Sequence, residues 1–285
     1  MLTLQEIIAK TTDLPSIPKA AIQVIQHCES NSSSAGSIAE LLAQDQALSI
    51  RVLRLANSAY YGLSRQVSDL QEAVVVLGVR SVKNLALIAS TYPWMSDPLK
   101  GYCLGPMQMW THSFGTAMGA QLIAKRAKLS REDTAFTAGL LHDLGKVALS
   151  IWLENRIGPM IALAKRDDLT FDEAERKVLG FDHTQVGEHL AESWNLPSSL
   201  VHAIRYHHDP NSCVEDQEIV DCVHLADYLT MTLGYGIGGD GLHYRIYDEP
   251  FRRLNLMPSD LDAIADGLDE AFANYSEALE ELVAA

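Results

Sequence analysis

The sequence has few basic residues and little of the alternating polarity that β-strands show. It carries 22 lysines and arginines against 37 aspartates and glutamates, which gives a net charge of −15 at neutral pH. An acidic surface repels phosphate backbones, so we expect no nucleic-acid partner. Because no basic amphipathic stretch is present, we expect no membrane partner either.

Long apolar runs, targeting signals and paired cysteines are also lacking. The 285-residue chain begins MLTLQEIIAKTTDLPSIP, without the basic start and apolar core of a signal peptide. No apolar run reaches the roughly 18 residues that a membrane helix requires. The four cysteines form no C-x-x-C pair, which is typical of small buried residues in a reducing compartment. We therefore expect a cytoplasmic protein without disulfides.

Helical patterning is present along most of the chain. SIAELLAQDQALSIRVLRLANS has apolar residues at helical spacing behind Ser37 and Glu40, which have the spacing of a capping box. SREDTAFTAGLLHDLGKVALSIWL opens with Ser130 and Asp133 in the same arrangement. Both segments are predicted to be helices.

The second half of the chain repeats these helix signals. TFDEAERKVLG has Thr170 and Glu173 at its start and a closing Gly180, and the next helix has Asp182 as its predicted N-cap. The last helical segment has Ser259 as its predicted cap. We predict an all-α fold.

One apolar stretch, AGLLHDLGKVALS, contains a histidine next to an aspartate. A carboxylate beside Leu140, Leu141 and Leu144 must be neutralised, paired or exposed, because an unpaired buried charge is costly. A divalent ion bound by His142 and Asp143 resolves that cost. The alternative is an empty site in which Asp143 accepts hydrogen bonds from a histidine.

Eight of the ten histidines fall between residues 112 and 224, although any one of them alone is more often a core or surface residue than a ligand. Imidazole and carboxylate ligands suit divalent Fe, Mn or Zn. The eight are His112, His142, His183, His189, His202, His207, His208 and His224.

The order H…HD…D, formed by His112, His142-Asp143 and Asp227, resembles the core signature of the HD superfamily of metal-dependent phosphohydrolases. Upstream, LPSIPKAAIQVIQ, IAELLAQDQALSIRVLRLANSAYYG and LQEAVVVLGVRSVKNLAL are similar to the hallmark blocks of the HDOD family, the HD-related output domain of bacterial signalling proteins. The resemblance covers about residues 14–210, and 211–227 follow the broader HD pattern.

The resemblance implies an HD-domain-like helical bundle with an N-terminal helical subdomain. The segment TYPWMSDPLKGYCLGPMQMW, rich in proline, glycine and aromatics, is the best candidate for a boundary. We predict an N-terminal HDOD subdomain over 1–100, an HD-like subdomain over 101–235 and a helical extension over 236–285.

Three further motifs, LHDLGK, DHTQVGEHLAESW and IRYHHDP, resemble those of the related HD-GYP phosphodiesterases, which hydrolyse cyclic di-GMP. The G-Y-P motif itself is missing after HHDP, so specificity for cyclic di-GMP is not implied. Gln108 stands where some relatives carry a glutamate for a third metal, so we expect one or two ions, Fe or Mn first and Zn or Mg as alternatives. The implied ligands are His112, His142, Asp143 and Asp227 for one ion, and His183, His207 and His208 for a second.

Two residues are predicted to take part in chemistry. Asp143 would bridge the two ions and an activated water. Lys146 either contacts a phosphate oxygen or merely favours a helix C-terminus, and both interpretations stay open. The remaining histidines match no motif and are left out of the predicted site: His27, His189, His202, His224 and His243.

Two functions are compatible with these features. The family implies a bacterial signalling or regulatory module with a metal-binding HD-like site, whose partner is a signalling protein or a nucleotide-type ligand. The alternative is an active metal-dependent phosphohydrolase acting on a nucleotide or a cyclic dinucleotide. We take the regulatory module as the expectation, because family behaviour favours it, while the preserved ligand residues favour the enzyme.

Overall fold

The protein, studied as a computed structural model, is described here over residues 3–10, 17–29, 34–58, 61–154, 156–239 and 243–283. Within these residues the only β-type pairing is an isolated bridge between Leu99 and Leu104, so the all-α prediction is confirmed. In chain order the helices are α1 (Leu4–Lys10), α2 (Lys19–Glu29), α3 (Ala35–Leu42), α4 (Gln46–Ala56), α5 (Leu70–Met95), α6 (Gln108–Arg126), α7 (Glu132–Leu141), α8 (Leu144–Leu153), α9 (Ile157–Asp167), α10 (Phe171–Leu179), α11 (His183–Ser193), α12 (Ser198–Tyr206), α13 (Gln217–Thr232), α14 (Asp248–Arg253) and α15 (Pro258–Val283). Among the described residues, short 3-10 helices at Lys100–Tyr102 and Pro210–Ser212 precede α6 and α13, respectively.

The chain forms two compact units. The first contains Met95–Leu268 together with α1, and the second contains Pro15–Trp94 together with the end of α15 from residue 269. In the first unit α6 packs along both α7 and α13, and α8 packs against α11. All predicted site residues belong to this unit. The predicted boundaries at residues 100 and 235 stay a prediction.

Two predicted helix starts are confirmed. Thr170 and Glu173 form the capping box of α10, whose C-cap Gly180 has a φ of 89°. Asp182 caps α11 by accepting a hydrogen bond from the backbone of Gln185 at 3.0 Å.

Three other predicted starts are wrong. The capping box of α3 is formed by Ser34 with Ser37, so Ser37 occupies the third helical position that the prediction gave to Glu40. The segment that begins at Ser37, predicted as one helix, forms the two helices α3 and α4, because Asp45 caps the start of α4. In α7 no side chain caps the first turn, and Ser130 and Asp133 lie on either side of its start.

The third wrong start is that of α15, which begins at Pro258. Proline suits the first helical position because its missing N–H would have no partner there. Ser259 therefore lies inside the helix, and the Asp260 carboxylate accepts the hydrogen bond from the backbone of Met257 at 2.7 Å.

Helix α5 corrects the expectation that no segment has the length of a membrane span. By length and composition alone, α5 is long and apolar enough to cross a membrane, and its most apolar window has a mean hydropathy of 1.6. However, 56% of that window is buried, and Gly78 interrupts the helical backbone with a φ of 86°. Burial of this kind is that of a core helix.

The four cysteines are all free, as expected. Cys213 and Cys222 are buried, but Cys28 is half-buried and Cys103 is exposed, so the expectation of burial is wrong for these two.

Candidate metal centre

His142 and Asp143, which we call the HD pair, lie at a break between two helices. The sequence predicts a single helix from Ser130 onward, but α7 ends at Leu141 and α8 begins at Leu144. Asp143, with φ −97° and ψ 17°, has left the helical region and its carbonyl accepts the first bond of α8 from the backbone of Lys146. The break turns both His142 and Asp143 into the interior, where neither is exposed.

Gly145 brings α8 against the start of α11. A Cβ at this position would lie 1.8 Å from the carbonyl oxygen of His183 and 2.8 Å from the backbone nitrogen of Gly187. Only glycine permits so close an approach between the two backbones. The glycine of the LHDLGK motif thereby brings His183 beside the HD pair.

The structure brings all seven predicted ligand residues together. One lies on α6, two at the α7–α8 break, one at the start of α11, two directly after α12 and one on α13. In that order they are His112, His142, Asp143, His183, His207, His208 and Asp227, and we call them the ligand cluster.

The ligand cluster divides into two groups of donor atoms, each lying within 4.8 Å of one another. In the first group, Nε2 of His112 lies 3.1 Å and Nε2 of His142 lies 3.8 Å from Oδ1 of Asp227. In the second group, Asp143 joins His183 and the pair that follows α12, and Nε2 of His183 lies 3.1 Å from Nε2 of His208.

Asp143 faces both groups, one carboxylate oxygen toward each. Its Oδ2 lies 3.5 Å from Nε2 of His112 and 3.3 Å from Nε2 of His142. Its Oδ1 lies 3.4 Å from Nε2 of His183 and 3.6 Å from Nε2 of His207. Asp143 therefore connects the two groups of donor atoms.

Four of the atoms that face one another here lack a hydrogen-bond partner. The Nδ1 atoms of His142 and His207 donate to the carbonyls of Gly139 and Ile204, at 2.7 and 2.9 Å, so each ring turns its Nε2 atom toward Asp143. Both Nε2 atoms and both oxygens of Asp143 are buried and lack hydrogen bonds of ordinary geometry. A cation satisfies such a set of lone pairs, so the residues fit a metal.

For Asp143 and His208, the electrostatics favour the charge states that metal ligands need. Burial raises the pKa of Asp143, but His142 and Lys146 outweigh it and hold that pKa well below its usual range. Burial lowers the pKa of His208 well below the ordinary value, and the neighbouring His207 adds to this effect. A charged carboxylate and a neutral imidazole are the forms that bind metal. The alternative in which Asp143 accepts a hydrogen bond from a histidine stays a prediction, since Nε2 of His142 lies 3.3 Å from Oδ2 of Asp143.

A family model described as the HDOD domain matches residues 14–210, which is more than half of the chain. The chain belongs to the HDOD family.

Solved structures share the fold of this HDOD protein. An HDOD domain protein of unknown function from Geobacter sulfurreducens is 26% identical, with a TM-score of 0.72 over 99% of this chain and 95% of that one. A protein from Shewanella amazonensis SB2B, described as a candidate phosphohydrolase, is 25% identical, with a TM-score of 0.69 over 97% of both chains.

A curated relative is longer than this HDOD protein. An uncharacterized protein of Treponema pallidum (strain Nichols) is 25% identical over 219 residues, which make up 75% of this chain and 42% of that protein. The chain therefore spans less than half the length of this relative.

Lys146 lies in the first turn of α8, so the interpretation that it favours a helix C-terminus is wrong. Its Nζ lies 2.7 Å from Oδ2 of Asp143, and its side chain is 7% exposed. The ammonium group also lies over the ring of Tyr102, 5.8 Å from its centroid. Lys146 therefore places a buried positive charge directly beside the carboxylate that faces both groups.

Glu175 is a site residue that the sequence analysis missed. It is fully buried on α10, and its Oε2 accepts hydrogen bonds from Nδ1 of His183 at 2.6 Å and from the backbone of His183 at 2.9 Å. Its Oε1 accepts a bond from the hydroxyl of Tyr102 at 2.5 Å. Burial lowers the pKa of His183, but Glu175 outweighs it and raises that pKa to about 9.

A sequence signal for Glu175 does exist. Phe171, Glu175 and Leu179 are spaced four residues apart, and all three are buried on one face of α10. A carboxylate at the middle of an apolar helix face needs a partner, just as Asp143 does.

A cavity of about 280 Å³ opens beside the ligand cluster. His183, His208 and Asp227 of the ligand cluster line it, together with Arg176 and Arg245. Both arginines are paired: Arg176 with Asp172 at 2.7 Å and with Asp182, and Arg245 with Glu173 at 3.1 Å. Lys146 also lines the cavity.

Proposed function

We propose that this HDOD protein is a metal-dependent phosphohydrolase with two divalent ions held by the ligand cluster. The observation that carries the proposal is Asp143, whose two oxygens face two separate groups of histidine and carboxylate donors. The likeness to a protein described as a candidate phosphohydrolase, at 25% identity over 97% of both chains, supports the same chemistry.

His112, His142 and Asp227 would hold one ion, and His183, His207 and His208 the other, with Asp143 between them. Imidazole and carboxylate donors suit Fe, Mn or Zn better than Mg, which prefers oxygen ligands alone. When bound, two such ions supply Lewis-acid charge and lower the pKa of a bound water until it becomes a nucleophile.

The residues of the chain provide orientation and charge for this reaction. Glu175 fixes the ring of His183 through Nδ1, which leaves Nε2 pointing into the site. Lys146, buried and lining the cavity, is placed to hold an anionic phosphate oxygen as a point charge. Burial of Asp143 and of the first group strengthens the electrostatic interactions around them.

The test is reconstitution of the purified full chain with Mn²⁺ or Fe²⁺, followed by assays on p-nitrophenyl phosphate and bis-p-nitrophenyl phosphate. We expect metal-dependent hydrolysis of at least one ester and its loss in Asp143→Asn. The matched control is His189→Asn, an exposed histidine on α11 outside the cluster. Metal-loaded protein that hydrolyses neither ester would contradict the proposal.

A second candidate is a regulatory module of bacterial signalling, in which the ions are structural and the partner is a signalling protein or a nucleotide-type ligand. The observation that favours it is the pairing of the cavity's cations, because Lys146, Arg176 and Arg245 each contact a carboxylate. This candidate predicts that ions raise stability and that a nucleotide binds without turnover. The four free cysteines support a cytoplasmic location for either candidate.

A further inference from the structure

His224 lies on α13, three residues before Asp227, and is fully buried without belonging to the ligand cluster. Its Nδ1 lies 2.7 Å from the carbonyl oxygen of His207, and its Nε2 lies 3.3 Å from the backbone nitrogen of Tyr247. A carbonyl can only accept and a backbone N–H can only donate. The two bonds therefore require one tautomer of a neutral ring, with the proton on Nδ1.

The first of these bonds fixes the turn that carries two ligands. His207 and His208 follow α12 directly, and the ring of His207 is already held through Nδ1 by the carbonyl of Ile204. The bond from His224 holds the carbonyl of the same residue. Ring and backbone of His207 are thus both fixed, which also fixes the direction in which His208 leaves the turn.

The second bond holds one side of the cavity. Residues 243–247, which we call the pocket wall, contribute His243, Tyr244, Arg245 and Tyr247 to the cavity lining. The bond from the Tyr247 amide to Nε2 of His224 anchors the wall at its end. The Tyr244 hydroxyl also donates to the carbonyl of His224 at 3.3 Å, and the Tyr244 ring packs 5.4 Å from that of His208.

The outer contacts of the pocket wall are weaker. Arg245 pairs with Glu173, and His243 lies 3.7 Å from Asp168, but both pairs have a partner that is nearly half exposed or more. Exposed ion pairs contribute about 0–1 kcal/mol. The contacts with the fully buried His224 are thus better shielded from solvent than these two ion pairs.

We propose that His224 is a positioning residue that couples the His207–His208 turn to the pocket wall, so that one ring sets both metal affinity and the shape of the substrate cavity. The substrate half of this inference rests on the proposed phosphohydrolase function, and the metal half rests on the ligand cluster alone. The competing interpretation is a core histidine whose loss lowers stability and nothing else.

Three substitutions at His224 test its bonds to His207 and Tyr247 independently. In His224→Asn, the amide nitrogen can take the place of Nδ1 and keep the bond to His207, but the side chain is too short to reach Tyr247. In His224→Gln, the amide oxygen can take the place of Nε2 and keep the bond from Tyr247 only. His224→Phe fills the space and makes neither bond. His202→Asn is the control, because His202 is a half-buried histidine bonded to Asp216 away from the cluster.

The first measurement is Mn²⁺ affinity of the metal-free full chain by titration calorimetry. Partners of metal-binding histidines typically contribute 10–100-fold to metal affinity. We expect His224→Phe to bind Mn²⁺ about tenfold more weakly or worse, His224→Gln to weaken similarly, and His224→Asn to stay near wild type. Affinities that all match His202→Asn, accompanied by lower melting temperatures, would overturn the proposal in favour of a core histidine.

The second measurement is hydrogen–deuterium exchange of the peptide that covers residues 243–247. Exchange should accelerate in His224→Asn and His224→Phe but not in His224→Gln, because only Gln keeps the bond from the Tyr247 amide. If the wild type hydrolyses p-nitrophenyl phosphate, the same two variants should raise KM more than they lower kcat. If the wild type hydrolyses no ester, the proposed function is refuted, but Mn²⁺ affinity and hydrogen–deuterium exchange still test the role of His224. If Asn and Gln variants both fail to fold while His202→Asn folds, His224 serves the core and the proposal is wrong.

Discussion

Gly145 and His183 are in backbone contact, so closely that a Cβ on Gly145 would lie 1.8 Å from the carbonyl oxygen of His183. This contact joins the two helices that carry the two sides of the candidate metal centre, because Asp143 precedes α8 and His183 begins α11. The distance of 3.4 Å between Oδ1 of Asp143 and Nε2 of His183 depends on it.

Gly145→Ala should therefore separate α8 from α11. The added methyl group meets backbone atoms that cannot rotate away, so we expect a loss of about 3 kcal/mol or more in the free energy of unfolding. Mn²⁺ binding should weaken in the same variant because the second group of ligands is displaced. Thermal melting and calorimetry measure both effects.

The control is Gly158→Ala on α9, where a Cβ would have no neighbour within 4 Å. Alanine is favoured over glycine in a helix by about 0.5–1 kcal/mol, so this variant should be neutral or slightly more stable. Equal effects of the two alanines would show that the close approach at Gly145 does not matter.

The second prediction concerns metal removal. A ligand that binds only the folded state at 100 times its Kd adds about 2.7 kcal/mol of stability. We expect Mn²⁺, Fe²⁺ or Zn²⁺ to raise the melting temperature of the wild-type chain and a strong chelator to reverse it. Asp143→Asn should abolish the response, since the amide cannot bridge two cations. Purified protein that contains no transition metal and responds neither to added ions nor to chelator would refute the metal site.

The third prediction tests Glu175 as the residue that orients His183. Glu175→Gln removes the negative charge. The amide oxygen can still accept a bond from Nδ1 of His183, but the amide nitrogen cannot accept the bond from the Tyr102 hydroxyl. We expect the ion on the His183 side to bind 10–100-fold more weakly, so that one Mn²⁺ per chain stays tightly bound where the wild type holds two. Glu192→Gln, an exposed carboxylate on α11, should leave both sites intact. Unchanged affinity at both sites would show that the bond from Glu175 has no role in ligation.

The sequence predicts much of the fold and the candidate ligands because both depend on local signals. Helical spacing and the caps Thr170 and Asp182 are local, and the seven ligand residues follow a spacing pattern that resembles a known family. The break at His142–Asp143 escapes prediction, because periodicity on either side continues through it.

Partners that depend on tertiary packing escape prediction for a different reason. Glu175 lies eight residues before His183 and His224 lies 17 residues after His207, and nothing in the intervening sequence indicates that either pair will meet. The close approach of Gly145 to α11 is likewise a contact between helices, although the glycine itself stands within the motif.

The last prediction concerns Lys146, whose ammonium group lies 2.7 Å from Oδ2 of Asp143. An ion in the first group would share that oxygen, so the lysine and the ion repel one another while both attract a phosphate. Lys146→Met should consequently change two properties in opposite directions. Mn²⁺ should bind at least about tenfold more tightly, because a unit charge at 4 Å is worth up to about 4 kcal/mol at an effective dielectric constant of 20. Hydrolysis of p-nitrophenyl phosphate should weaken through a higher KM.

The metal-free form of Lys146→Met should also melt at a lower temperature than the wild type, because Asp143 loses its buried cation and breaking a buried pair costs about 3–5 kcal/mol. Added Mn²⁺ should then restore more stability to this variant than to the wild type, since the ion replaces the missing charge. Lys165→Met, an exposed lysine on α9, should shift none of these quantities. If Mn²⁺ affinity and hydrolysis both fall in Lys146→Met, the lysine supports the fold of the site and does not act as a separate charge for phosphate.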